Sequence, residues 1–326
     1  MGEQIGECVM KASATKKTKN KKSMFHELIK NKGLYIMVLP GILYFLIFNY
    51  LPLTGIYYAF VDYKPMAGWF GLKSKFVGLD NFKYFFASGS WIKITINTLY
   101  LNTLFILTGL LLQLVLAVLL NEISNKWFKK ISQTFMFLPN FLSWAVVSVF
   151  ALALFGTDDG LINKLITSLG FEGIPFYQTP GVWPFLLVLL RLWKGAGFGT
   201  VIFLAAISGI GQDMYEAAKV DGANRLQQII YLTVPMLKTT AVVLLILSVG
   251  SIFVGDFGMI YALLGDNPLL KDTTDVIDTF VYRALRTQND IGMSTSVGLL
   301  QSVLGIIFAV GTNYISKKVD EETKVF

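Results

Sequence analysis

Long apolar runs alternate with short polar connections along most of the chain. A helix that crosses a bilayer needs about 20 consecutive apolar residues. Runs of that order occupy residues 34–60, 95–120, 131–155, 182–208, 239–263 and 294–315. The pattern predicts an all-α polytopic membrane protein with six transmembrane helices. Pro40, Pro52 and Pro139 fall inside or beside these runs, where neighbouring helices can satisfy the backbone groups that proline frees. The expected organisation is a tail over residues 1–32, a transmembrane domain over 33–316 and a short second tail over 317–326.

The connection between the fourth and fifth runs breaks this apolar monotony. It reads EAAKVDGANRLQQIIYLTVP from Glu216 to Pro235. Asp213 can cap a helix start, with Glu216 three residues on as its reciprocal partner. Glu216, Ala217, Ala218 and Lys219 are good helix formers. Asp221-Gly222 offers a stop, because glycine tolerates the left-handed conformation of a helix C-terminus. A second short helix through Arg225, Gln227 and Gln228 should follow, with Pro235 at the next boundary. On these residues alone, such a helix, turn, helix unit serves equally as an ordinary connection or as a docking knob.

Charge sets the orientation. The segment before the first run carries Lys11, Lys16, Lys17, Lys19, Lys21, Lys22, Lys30 and Lys32. Lys126, Lys129 and Lys130 follow the second run, Lys219, Arg225 and Lys238 the fourth, and Lys317 and Lys318 the sixth. With six spans, all of these fall on one side, which the positive-inside rule makes cytoplasmic. Both termini and the Glu216 connection are then expected in the cytoplasm. This bias accounts for the net charge of +7 without a nucleic-acid partner, and the tail lysines suit anionic lipid head groups of the bilayer. A first run of this length, with no small-residue cleavage site after it, reads as a retained helix rather than a signal peptide.

Composition narrows the chemistry. The chain is 54% hydrophobic and 15% charged, with a mean hydropathy of +0.58, which points to a membrane class. One cysteine (Cys8) and one histidine (His26) leave nothing for a disulfide framework or a His/Cys metal cluster. No HExxH, GxSxG or GxxxxGK[ST] pattern occurs, so no phosphate loop is present to bind ATP.

The connection resembles the EAA loop of ABC importer permeases: E-A-A, three residues, G, nine residues, then I-x-L-P. Every spacing matches, with Leu232 for the usual Ile and Val234 for the usual Leu. Phe76-Val77-Gly78-Leu79-Asp80-Asn81-Phe82 and Leu192-Trp193-Lys194 with Gly195, Gly197 and Leu204-Ala205-Ala206 look like segments of type I carbohydrate-importer permeases. The resemblance covers most of the chain from about Gly33 onward, and within the family it points to the LplB-like oligosaccharide permeases. It implies the type I ABC importer transmembrane fold in a bacterial plasma (inner) membrane. It also implies a second homologous permease subunit, two ATP-binding subunits, and an extracellular solute-binding lipoprotein that delivers a carbohydrate. ATP and Mg would sit on those ATPases, with no cofactor on this chain. The ATPase-coupling element would be residues 209–236, with Glu216, Ala217, Ala218, Asp221, Gly222, Arg225 and Pro235 as its determinants.

Ionisable residues inside spans mark candidate sites. Arg191 and Lys194 lie three residues apart on the fourth helix and share a face, so they can line a translocation path or form a structural pair. Trp193, Asn140, Trp144, Asp256 and Gln301 are the other candidates for contact with a sugar. Helix-to-helix hydrogen bonding explains the same polar groups equally well, and so for Asn102, Gln113 and Ser143. Gly195 and Gly199 give a GxxxG spacing that suits close helix packing. Trp69, Phe70, Tyr84, Phe85, Phe86 and Trp91 read as an interfacial aromatic belt. An ATP-independent secondary transporter and a non-transporting assembly subunit remain the rival functions.

Overall fold

A computed structural model describes residues 31–68, 71–87 and 89–319. Most of the basic tail, Trp69 and Phe70 of the aromatic belt, and residues 320–326 lie outside the described residues. Among the described residues, four helices are long and apolar enough to cross a membrane, and two further bent helix pairs bring the count to as many as six. The chain divides into a unit through Gly55 and a unit from Ile56 onward.

The described part of the first unit belongs to a helical run that continues to Phe60. Helix α1 (Lys32–Phe45) passes into a π-helical turn, Leu46–Tyr50, and then into a 3₁₀ stretch, Leu51–Phe60. Pro52 explains the change of pitch. It has no N–H, and its ring collides with the carbonyl four residues back, which is Phe48 in the widened turn.

After Phe60 the second unit has a two-stranded antiparallel ladder, β1 (Val61–Asp62) against β2 (Lys75–Phe76). Helix α2 (Asp80–Ala87) follows. Its buried Asn81 donates to the carbonyls of Ala59 and Val61 at 3.0 and 2.9 Å. Phe85 on the same helix is buried in a core with Ile94, Phe253 and Ile277. It therefore belongs to the interior rather than to the expected aromatic belt, because every fourth residue of α2 turns to the same inner face.

Helix α3 (Trp91–Glu122) is the second span. The third run, expected as one helix over 131–155, is two. Asn125 caps α4 (Lys126–Phe137) by accepting from Trp127 and Phe128. A 3₁₀ turn holds Pro139, and Ser143 then caps α5 (Trp144–Phe155) through the Val146 N–H. The two halves meet at 99°. Pro139 ends one hydrogen-bond ladder and the Ser143 hydroxyl starts another.

Helix α6 (Leu161–Ser168) and a buried Trp183, whose indole donates to the Phe176 carbonyl at 2.8 Å, lead into α7 (Trp183–Ser208). Helix α8 (Gln212–Val220), α9 (Arg225–Gln228), a π turn (Ile229–Thr233) and α10 (Val234–Met236) make the polar connection. Helix α11 (Lys238–Val249) is inclined at 48° to the segment before it. The fifth run, expected as one helix over 239–263, stops at Val249 and resumes as α12 (Phe257–Leu264). Helices α13 (Lys271–Thr274), α14 (Ile277–Arg286) and the long α15 (Ile291–Val319) complete the unit. Arg283 grips Asp275 with both guanidinium nitrogens, at 2.8 and 2.5 Å, and fixes the start of α14; such a paired fork adds geometry as well as energy.

The break at 250–256 puts open backbone inside an apolar run, and three other elements close it. Asn102 on α3 donates to the carbonyls of Ile252 (2.7 Å) and Val254 (3.3 Å). Gln301 on α15 donates to Phe253 (2.7 Å), and Asp278 on α14 accepts from the Gly255 N–H (2.6 Å). Left bare in lipid, each such group costs several kcal/mol.

Helix α7 packs against α3 and α4 through glycines, at Gly199 of the expected GxxxG pair but at Gly197 in place of Gly195. A Cβ on Gly197 would lie 2.6 Å from the Met136 carbonyl oxygen, and one on Gly199 2.0 Å from the Gln113 amide, while nothing lies within 4 Å of a Cβ on Gly195. Residue 195 lies on nearly the same side as Gly199, since four residues rotate the side-chain direction by about 400°, but it opens onto free space between the helices rather than onto a neighbour.

Gly197→Val should therefore lower the thermal unfolding midpoint of the detergent-solubilised protein, by about 1–3 kcal/mol equivalent. Gly195→Ala should leave it unchanged. An unaltered midpoint for Gly197→Val would contradict the close α7–α4 contact.

Candidate translocation cavity and coupling loop

A cavity of about 340 Å³ opens between α3, the α4–α5 elbow, α7 and the break in the fifth run. Asn102, Asn140, Trp144, Arg191, Lys194 and Asp256 all line it. Arg191 Nη1 contacts Asp256 Oδ2 at 2.6 Å, and its guanidinium lies 4.8 Å from the Phe105 ring centre. The other Asp256 oxygen accepts from the Met259 N–H at 3.0 Å and caps α12. A carboxylate at a helix start satisfies a free N–H and meets the positive end of the helix dipole. Lys194 Nζ donates to the Asn140 carbonyl at 3.0 Å and lies 5.3 Å from the Trp144 ring centre.

Five of the seven candidate pathway residues thus converge: Arg191, Lys194, Asn140, Trp144 and Asp256. Two do not. Trp193 is 45% exposed and points away from the cavity. It sits two residues from Arg191 and one from Lys194, so on a helix it cannot share their face. Gln301 is buried and holds the Phe253 carbonyl and the Asp278 carboxylate instead. Burial pushes the Asp278 carboxyl above the usual carboxylate range, against the Gly255 N–H and the Gln301 amide, which favour its charged form. The sequence reading did not single out Phe105, Ser248 and Ser251 on the cavity wall, since nothing in an apolar run marks a phenylalanine or a serine as lining. It also missed the cluster of Phe257, Tyr261 and Tyr282 next to Asp256, whose ring centres lie 4.7–5.1 Å apart; that contact joins α12 to α14.

The second candidate site is the α8–α9 knob. Gly211, not Asp213, occupies the cap of α8, and Asp213 lies within the first turn. The expected reciprocal pair of Asp213 and Glu216 is therefore absent at the helix start. Glycine is accepted at a cap, and the carboxylate of Asp213 still meets the positive helix end. The reciprocal box forms one helix later: Asn224 accepts from the Gln227 N–H (2.9 Å), and the Gln227 side chain accepts from the Asn224 N–H (2.8 Å). Gly222 has φ of +82°. Its N–H bonds the Lys219 carbonyl and that of Ala223 bonds the Ala218 carbonyl, which closes α8 as a glycine C-terminus should.

Glu216, Ala217, Asp221, Gly222, Arg225 and Pro235 are exposed and Ala218 is half-buried. Val220, Leu226 and Tyr231 are exposed around them, at 87%, 65% and 78%. Underneath, Tyr215 OH bonds Thr233 Oγ1 at 3.0 Å and ties α8 to the π turn. Arg225 lies 4.0 Å from Glu122 at the end of α3.

The family model for binding-protein-dependent transport system inner membrane components matches residues 77–321. The chain belongs to this family. It is a multi-pass inner-membrane permease subunit of an ABC importer. It is 42% identical to Protein LplB of Bacillus subtilis (strain 168) over 293 residues, 90% of this chain and 91% of that protein. It is 39% identical to the polygalacturonan/rhamnogalacturonan transport system permease protein YteP of the same organism, over 94% of each chain. Among solved structures, the crystal structure of a bacterial alginate ABC transporter in complex with alginate pentasaccharide-bound periplasmic protein contains a chain that superposes with a TM-score of 0.81 at 31% identity. That match covers 92% of this permease and 98% of the other chain.

The Arg191–Asp256 pair should behave as one unit. Arg191→Met and Asp256→Asn should each lower the unfolding midpoint of the purified permease, while the double variant loses less than the two together. The coupling energy should be on the order of 0.5–3 kcal/mol. Strictly additive midpoints would show that the two groups act independently.

Proposed function

We propose that the permease passes a carbohydrate, in the form of an oligosaccharide, through the cavity at Lys194 and Trp144. The energy comes from ATPase subunits docked on the Glu216 loop. The observation that carries the reading is the exposed knob of α8 and α9, turned at Gly222 and framed by unpartnered apolar side chains, on the side of the membrane that the lysine bias makes cytoplasmic. A solute-binding protein on the opposite face would deliver the sugar, and a second homologous permease would complete the path. The named substrates of the relatives support a carbohydrate: polygalacturonan or rhamnogalacturonan for YteP, and alginate for the solved transporter.

Closure of the ATPases would move the docked loops as rigid bodies, and the helices would rock between inward- and outward-facing states. The broken fifth run fits such a movement, because the chain there is held by side chains rather than by a helical ladder. The sugar contributes only its difference in affinity between the two states.

Topology is testable directly. Reporters placed near Gln212 and after the C-terminus should read as cytoplasmic, and a cysteine near Asp272 should label from outside. External labelling at Gln212 would remove the loop from reach of any ATPase.

Coupling should fail at two residues for different reasons. Glu216→Lys reverses an exposed charge that can pair with a cation on a docked partner; leaving such a contact half-made costs about 2–5 kcal/mol once buried. Gly222→Asp places a Cβ at a positive φ. Both variants should insert normally, yet co-purify with less ATPase or transport fewer sugars per ATP. Wild-type values in both assays would make the loop a mere connector.

A further inference from the structure

The stretch of the fifth run that walls the cavity is held from outside it. Val254 and Asp256 line the cavity, while Gly255 between them does not. The Gly255 N–H is taken at 2.6 Å by Asp278 Oδ2, and Asp278 stands outside the lining. The same oxygen accepts from the Gln301 amide at 3.1 Å. The fit is close: a Cβ on Gly255 would lie 2.7 Å from that oxygen and 3.0 Å from Val276 Cγ2.

The three side chains that hold the break are not equivalent. Asn102 and Gln301 donate to the carbonyls of Ile252, Val254 and Phe253. Asp278 accepts a backbone N–H instead, and that N–H adjoins Asp256. A neutral acceptor would satisfy Gly255 at lower cost, since a carboxylate loses more than an amide on leaving water. The neighbouring Asp256 carboxylate repels Asp278 as well. What the charge adds is strength: a hydrogen bond to an ionised group is roughly twice as strong as a neutral one.

That strength is applied one residue from the pair that shapes the cavity. Asp256 caps α12 with one oxygen and pairs with Arg191 through the other, and both bonds require its backbone in place. Asp278 is itself fixed from a different quarter. It stands in the first turn of α14, whose start is set by the grip of Arg283 on Asp275. Helix α14 lies in the connection expected outside the membrane, so an outer helix is tied to the cavity wall through one short hydrogen bond.

Resting on the import function proposed above, we propose that Asp278 is a positioning residue for translocation: through Gly255 it holds Asp256, and with it the Arg191 pair, in this chain's wall of the sugar path. A shift of α14 on the outer face therefore moves that wall with it.

The test uses the complete transporter in proteoliposomes with its binding protein. The probe is a mixture of galacturonan, rhamnogalacturonan, alginate and neutral glucan oligomers, and the readout is sugar taken up per ATP hydrolysed. Asp278→Leu should lower that ratio about tenfold, with unchanged co-purification of the subunits. Asp278→Asn, which keeps an acceptor without the charge, should fall between Asp278→Leu and the wild type. Gly255→Ala disturbs the same bond from its other end and should also lower the ratio. In an Arg191→Met background, Asp278→Leu should cost less than about twofold more, because both act on Asp256. In a Glu216→Lys background it should keep its full effect.

Wild-type ratios in both Asp278→Leu and Gly255→Ala overturn the proposal. Assembly and uptake that fall together at an unaltered ratio overturn it too, since Asp278 would then only hold the fold. A full tenfold loss on top of Arg191→Met places its action elsewhere and has the same consequence. Should Asp278→Leu fail to assemble, Asp278→Asn and Gly255→Ala carry the same comparisons. If no loaded binding protein stimulates ATP hydrolysis or sugar uptake by the wild type, the import function itself fails, and the proposal with it.

Discussion

The fold depends on one constraint: backbone hydrogen-bonding groups cannot be left bare inside a bilayer. The fifth run breaks at 250–256, and the break survives because Asn102, Gln301 and Asp278 reach it from three different helices. Each supplies the partner that a helical ladder would have supplied. The second and sixth spans and α14 are thereby tied to one short stretch of chain. Asp256 ends that stretch, starts α12 and pairs with Arg191 on the fourth span. The break forms one wall of the cavity through Ser251, Val254 and Asp256.

The same logic governs the α4–α5 elbow. A proline and a capping serine turn the chain by 99°, and the Asn140 carbonyl freed in the turn becomes the acceptor for Lys194. Irregular backbone occurs at both places where the cavity needs a polar wall, and it is satisfied at both. Close packing of α7 through Gly197 and Gly199 holds its cationic face at the required distance from α3 and α4.

The α8–α9 loop is built on different terms. It is short-range structure: a glycine stop at Gly222, a reciprocal cap at Asn224 and Gln227, and the Tyr215–Thr233 hydrogen bond beneath. It needs little from the transmembrane core, which is why its residues could be read in order from the chain. The cavity needs almost everything from the core. Arg191 and Lys194 could be placed on one face from their spacing, but their different partners could not, since Asp256 lies 65 positions from Arg191 and Asn140 lies 54 from Lys194.

The sequence by itself determined the all-α membrane class and the two-helix form of the polar knob. Those follow from composition, run length, charge bias and local turn chemistry, all of which act over a few residues. Tertiary structure alone decided where two of the runs break, that Phe85 and Gln301 turn inward, that Gly197 rather than Gly195 makes the close contact, and that Trp193 leaves the cavity. The fifth-run break, Gln301 and Gly197 depend on which distant group arrives to satisfy a carbonyl or fill a space, and no local pattern encodes that arrival; the Pro139–Ser143 elbow and the outward turn of Trp193 follow from local backbone chemistry and helix periodicity, but only once packing has fixed which face is inward.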